Sequence, residues 1–364
     1  SRIMNQPMVK LAAAVCALFI AVVPLRGQVT PAPAPLPSAS PEASPAPAAT
    51  PVSGDPLDAL DAEQLRKAIE ILRRDHVRGA QLDETALARA TLRGLLANLS
   101  PGADFADDQA GPAEDSPFRS EILDGRAGYI RLGSLKSENI AQLDAALREF
   151  TTKKVHGVVL DLRATPESPD FTLAAEAASR FCTPGTVLFS LAGPGRPGGS
   201  EFAAQGEPLF RGVLVVIIDE NTSGAAEALA ATLRWNAKAL LVGTRTSGRC
   251  VEFSEVVVGN GPKLRIAVAE VRIAGQPIYP RGLRPDIEIE QDPEMREFVL
   301  SEALERGAGA FVFEQERAQM DEAALVAGTN PEIDSEPVEA GLIDRPLQRA
   351  VDLVTALRVF RRSE

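Results

Sequence analysis

Apolar and polar positions fall into blocks of different period along the chain. Leu60, Leu65, Ile69 and Leu72 recur at helical spacing, with Asp61 placed to cap the helix they predict. A second helix is predicted over 83–99, where Leu87, Leu92, Leu95 and Leu96 share a face and Ser100-Pro101-Gly102 ends the run. Residues 103–117 are acidic and read as loop. From Ala127 the period changes. Gly128-Tyr129-Ile130-Arg131-Leu132 is strand-like, 140–150 is an amphipathic helix, and 157–162 is a nearly continuous apolar run, the pattern of a strand buried on both faces. A helix over 173–181, a buried strand over 212–218, a helix over 224–235 and a short strand over 240–243 follow. Strands alternating with helices imply an α/β core with a mostly parallel sheet and right-handed crossovers. Residues 193–199, rich in Gly and Pro, read as a surface loop, since no strand-loop-helix fingerprint surrounds them to suggest a phosphate cradle. Residues 251–289 alternate in the manner of hairpins. After an acidic, loop-like stretch over 314–341, Leu347, Val351, Val354 and Leu357 predict a final helix.

The N-terminal pattern concerns location. Lys10 precedes an apolar run over 11–25, the signature of a secretory signal and shorter than the roughly 20 residues of a membrane span. Leu25-Arg26-Gly27 is an imperfect cleavage site, so an uncleaved anchor stays open. Residues 29–56 are almost all Pro, Ala, Ser and Thr, which cannot pack a core and read as a tether. The expected organisation is a signal peptide or anchor (1–28), a linker (29–56), a helical N-terminal region (57–117), the α/β core (118–291) and a helical, acidic C-terminal region (292–364). Export to the periplasm or cell envelope is expected, with membrane contact only through an N-terminal anchor.

Composition narrows the chemistry. A net charge of −12 disfavours nucleic acid, whose phosphates need a basic surface. The only two histidines, His76 and His156, sit at predicted element ends, and no Cys/His group has metal-ligand spacing, so neither a metal nor another cofactor is expected. Cys182 and Cys250 could pair in an oxidising compartment, or remain apart.

Five segments in order carry a family resemblance: Gly128-Tyr129-Ile130-Arg131-Leu132; Leu160-Asp161-Leu162-Arg163; the run from Asp219 through Ser223, Gly224 and Ala225 to Glu227; the run from Val242 to Arg249; and Gly282-Leu283-Arg284-Pro285-Asp286. The stretch 127–291 thereby resembles the C-terminal processing (tail-specific) serine peptidases. That resemblance implies a mixed α/β core related to the Clp-protease and crotonase folds. It also implies a serine nucleophile, a lysine base of depressed pKa, a glutamine holding the lysine, and backbone N–H groups for the oxyanion.

Carried over residue by residue, those roles fall on unsuitable side chains. The family nucleophile lies three residues before the motif glutamate, here Glu227, which places it at Gly224. The family lysine lies twenty-five residues beyond the nucleophile, which places it at Arg249, and the glutamine four further on, at Phe253. The oxyanion loop, usually Asn-x-Pro-Gly-Gly, is Ala164-Thr165-Pro166-Glu167-Ser168; Ala225 follows the nucleophile position. Glycine carries no nucleophile, and a guanidinium keeps its proton at any physiological pH. Phenylalanine offers no hydrogen bond. Glu167 brings a negative charge to a loop that should stabilise one. The expectation is a pseudo-peptidase that binds a protein or peptide, with Arg249 the candidate for a peptide carboxylate unless Glu167 or Glu252 pairs with it internally. The alternative is an active peptidase whose nucleophile is displaced to Ser223, using Asp219, Glu220 or Glu227 as base. Cys250, beside Arg249, is a lesser nucleophile candidate. The roughly 25 residues between Leu99 and Gly128 are too few for the PDZ module that the family usually carries there.

Overall fold

The computed structural model describes residues 55–106, 115–312 and 342–361. The N-terminal apolar run, nearly all of the Pro/Ala-rich stretch and the acidic stretch over 314–341 lie outside the described residues. The chain divides into two units, 1–75 and 76–364. No helix among the described residues is long and apolar enough to cross a membrane.

In the first unit a 3₁₀ turn (Pro56–Ala59) leads to α1 (Ala62–Asp75). The Asp61 carboxylate accepts the Glu63 and Gln64 amides at 2.9 and 2.8 Å, and the Gln64 side chain accepts the Asp61 amide at 2.9 Å. This reciprocal cap satisfies N–H groups that a helix start leaves without partners.

The second unit starts with α2 (Glu84–Leu99), capped by Asp83. Its centre is a six-stranded sheet. In spatial order the strands are β12 (Ile287–Glu288), β8 (Leu240–Gly243), β7 (Val213–Ile218), β4 (Gly157–Asp161), β3 (Ala127–Arg131) and β2 (Arg119–Leu123). All pair in parallel except β2, which runs antiparallel to β3. The continuous apolar runs follow from burial on both faces. Val158, Leu160, Leu214, Val216 and Ile218 face the core shared with α3 (Ser137–Thr152), α4 (Phe171–Ser179) and α5 (Ala225–Asn236). Val159, Val213, Val215 and Ile217 face Leu347, Ala350, Val351 and Val354 of α7 (Arg345–Arg361).

A second sheet carries β1 (Ala103–Phe105), β10 (Lys263–Ile273), β5 (Val187–Gly193) and β6 (Arg196–Ala203) in that order, with β9 (Val251–Val257) and β11 (Gln276–Pro277) paired to β10. Its Leu188, Phe189, Leu191, Ala269 and Val271 close the core on the outer side of the helices. α6 (Pro293–Arg306) lies between β12 and the C-terminal segment in sequence.

Three segments differ from the sequence expectation. Residues 103–105, expected as loop, are an edge strand whose Ala103, Asp104 and Phe105 pair with Ile266, Arg265 and Leu264. Residues 193–199, expected as a surface loop, form the turn of the β5–β6 hairpin and the start of β6. β2 lies inside the expected core (118–291) but ahead of Ala127, where the strand pattern in the sequence begins. Only the first is decided by a strand distant in sequence; the other two are hairpins between neighbouring strands.

The end of β4 anchors the loop that follows it. Arg163, 4% exposed, donates from Nε and Nη2 to Asp161 at 3.0 and 2.7 Å, and from Nη1 and Nη2 to Asp344 at 3.0 and 2.7 Å. Asp344 also accepts the Leu347 amide at the start of α7. The Tyr129 hydroxyl donates to Asp161 at 3.0 Å. Burial alone would raise the Asp161 carboxyl; the Arg163 guanidinium outweighs it and holds the group below the ordinary range.

Candidate functional site

β7 delivers its carboxyl end to a tight turn. There Asp219 Oδ1 accepts the Asn221 amide at 3.1 Å, the Thr222 amide at 3.0 Å and the Thr222 hydroxyl at 3.1 Å. This arrangement aims residues 223–225 at the start of α5. Gly224 caps that helix with φ +56° and ψ −125°, a conformation that side-chain-bearing residues adopt only under strain. A Cβ built at Gly224 would lie 2.9 Å from the Ser168 carbonyl oxygen and 3.5 Å from Glu167 Cγ. The next amide, Ala225 N–H, donates to that same Ser168 carbonyl at 3.1 Å. An N–H at a helix start is the natural partner for a developing negative charge; here it holds the chain's own peptide oxygen. The loop is fixed from its other side as well: Ser168 Oγ accepts the Asp170 amide, and Asp170 caps α4.

Arg249 enters the same place from the loop between β8 and β9. Its Nε lies 3.4 Å from Glu167 and its Nη1 3.2 Å from Asp104. Asp104 is shared with Arg265, directly opposite it across the β1–β10 pair, at 3.1 Å, and Arg265 also lies 3.7 Å from Glu167. Both guanidinium groups stand over the Phe253 ring, Arg249 at 5.0 Å and Arg265 at 4.3 Å from its centroid. Two cations and two carboxylates therefore close around one aromatic ring. Of the two carboxylates expected as internal partners, Glu167 is at Arg249; Glu252 is bound to Arg196 instead.

The Arg249 loop is held by Glu227. This carboxylate has no exposed surface and accepts from the Thr246 hydroxyl, the Ser247 hydroxyl at 3.2 Å and the Gly248 amide at 2.9 Å. Burial raises its pKa, and those three donors work against the rise. Glu220 is engaged by Arg296 and Thr244, and Asp219 by Thr222. The three carboxylates considered as bases for Ser223 are thus bonded to other groups, and none bonds Ser223. Burial and the charge of Glu227 push the Cys250 thiol well above its ordinary range, the opposite of what a neighbouring Arg249 would do. Cys182 and Cys250 are separate, buried free thiols, which settles the open pairing.

Sequence reasoning passes over two members of the cluster. Asp104 lies in a stretch that reads as loop, and Arg265 is one of several charged residues in a hairpin. Only the β1–β10 pairing brings them to Arg249. Among the described residues no group of His, Cys, Asp and Glu is placed to hold a metal ion.

Residues 126–289 match the profile of peptidase family S41. A carboxyl-terminal-processing protease of Synechocystis sp. is 29% identical over 182 residues, 48% of this chain and 42% of the relative. The chloroplastic C-terminal processing peptidase of Tetradesmus obliquus is 28% identical over 170 residues, 46% of this chain and 36% of the relative. The aligned part thus spans less than half the length of either relative. Among solved structures, the photosystem II D1 C-terminal processing protease superposes with a TM-score of 0.43 at 25% identity, over 55% of each chain.

Proposed function

We propose that this chain, which carries a domain of peptidase family S41 over residues 126–289, is a catalytically silent relative of the C-terminal processing peptidases that binds a protein or peptide outside the cytoplasmic membrane. The observation that carries the reading is the Ala225–Ser168 hydrogen bond beside a glycine in the nucleophile position. The amide that would receive an oxyanion is bonded to the chain's own carbonyl, in the space a serine side chain would need. The base position supports the same reading, since Arg249 is a permanent cation held between Asp104 and Glu167. The export signal read in the sequence, and relatives described as chloroplastic, favour a compartment outside the cytosol.

The test is turnover. The full chain, incubated with an unfolded protein substrate, is expected to cleave no faster than a heat-denatured sample of itself. Cleavage that vanishes in Ser223→Ala would establish a displaced nucleophile and sink the proposal.

A further inference from the structure

Arg131, at the end of β3, is 7% exposed. Its Nη1 donates to the Leu300 carbonyl of α6 at 2.5 Å, while its buried Nε has no hydrogen-bond partner. The guanidinium forms no ion pair among the described residues. The nearest acid in the β-ladder, Asp161, opposite Arg131 in the β3–β4 register, is already engaged by Arg163 and Tyr129. A buried cation is costly unless it is paired and hydrogen-bonded.

Arg131 lines a cavity of about 170 Å³ together with Arg119, Ser120, Glu121, Tyr129 and Gly307. The space exceeds that of several water molecules, each about 30 Å³ in the liquid. Its one lining carboxylate, Glu121, has both oxygens committed, to the Ala308 amide at 2.8 Å and the Gly309 amide at 3.2 Å. Tyr129 spends its hydroxyl on Asp161. The donors with capacity left are the two guanidinium groups and the Ser120 hydroxyl. An arginine fork matches the paired oxygens of a carboxylate or phosphate.

We propose that this cavity is a binding site for a small oxyanion of the carboxylate or phosphate type, held by Arg131 with Arg119 at its rim and linking β3 to α6. It is separate from the Gly224–Arg249 cluster and shares no residue with it. The oxyanion completes the pairing that Arg131 lacks within the described residues, so binding stabilises the folded chain.

Thermal unfolding of the full chain tests this, with inorganic phosphate and acetate titrated at an ionic strength held constant with NaCl. At ten times the dissociation constant a Tm rise of about 2 °C is expected. The rise is expected to be lost in Arg131→Gln and retained in Arg249→Ala. Should Arg131→Gln not fold, Arg119→Ala, at an exposed position, is expected to bind the anion about five- to tenfold more weakly by isothermal titration. A response to phosphate alone or to acetate alone supports the site and fixes its ligand class. No rise with either anion, or the same rise in wild type, Arg119→Ala and Arg131→Gln, overturns the proposal.

Discussion

The Ala225 amide donates to the Ser168 carbonyl oxygen at 3.1 Å across the mouth of the strand-to-helix turn. One hydrogen bond joins the segment after the nucleophile position to the loop that would supply the rest of an oxyanion hole. Its effect is to close the space between them. A developing oxyanion would have to displace the Ser168 carbonyl oxygen from the Ala225 amide.

Introducing a serine and a lysine at these positions should therefore not produce turnover. Gly224→Ser combined with Arg249→Lys is expected to show no turnover of an unfolded substrate. The new Cβ would press on the Ser168 carbonyl, and the lysine would be held by Asp104 and Glu167. The strained backbone at Gly224 predicts a loss of about 1–3 kcal/mol in urea unfolding for Gly224→Ser alone. Measurable cleavage by the double variant would mean that the loop yields easily, and that the contact does not bar an oxyanion from the turn.

The Arg163–Asp344 pair predicts a structural role for the last residue of the Leu-Asp-Leu-Arg motif. Asp344→Ala removes one carboxylate from a buried guanidinium and the cap from Leu347. The expected loss is about 3–5 kcal/mol, because a buried charge is left part-paired. Denaturant unfolding of Asp344→Ala beside Arg345→Ala, at the neighbouring position outside this network, separates the pair from a general effect of altering the start of α7. A loss below about 1 kcal/mol would show that Asp161 alone suffices.

How far these features can be read from sequence depends on how local their causes are. β4 and β7 are legible because burial on both faces leaves an uninterrupted apolar run, and α1 and α2 because Asp61 and Asp83 mark their starts. Glu167 can be placed beside Arg249 because both belong to motif segments of known order. Asp104 cannot. It is 145 residues from Arg249 in the chain and reaches it only through a three-residue edge strand that local pattern does not announce. The committed state of Glu227 is hidden for the same reason. Its donors lie 19–21 residues away, and nothing in their identities distinguishes a loop clasp from a solvated turn.

Asp219 gives a pH dependence of defined sign. Burial, the largest influence, raises its carboxyl to about 6, against the opposing effects of Arg296 and Arg163. Its Oδ2 is buried without a hydrogen bond, with Arg296 Nη1 3.4 Å away. A folded-state pKa above the unfolded value means that the folded state binds the proton more tightly. The contribution is fully present below about pH 4 and is lost as pH rises through 6. The stability of wild type relative to Asp219→Asn should thus fall by about 2–3 kcal/mol between pH 4 and pH 8. A difference that is flat across this range, or rises with pH, would contradict the assignment.

The ion cluster bears on what Arg249 can bind. A peptide C-terminus is the natural ligand for a guanidinium in this place, but the fork of Arg249 is already turned toward Asp104 and Glu167, and its plane rests on Phe253. Capturing a carboxylate would mean exchanging one of these partners for another of the same charge, with little net gain. Short peptides with free and amidated C-termini are therefore expected to bind the wild type equally, and Arg249→Ala the same. Removing the internal competition changes the prediction: Glu167→Gln together with Asp104→Asn leaves Arg249 and Arg265 without counter-charges over Phe253. That variant should prefer the free C-terminus over the amide by about tenfold, the scale of one charge-assisted hydrogen bond of roughly 1.5 kcal/mol. Calorimetric titration of both peptides against all three proteins decides the matter. A preference for the free C-terminus already present in the wild type and abolished in Arg249→Ala would show that the cluster opens to admit a chain end, and would make Arg249 the point of contact with the partner.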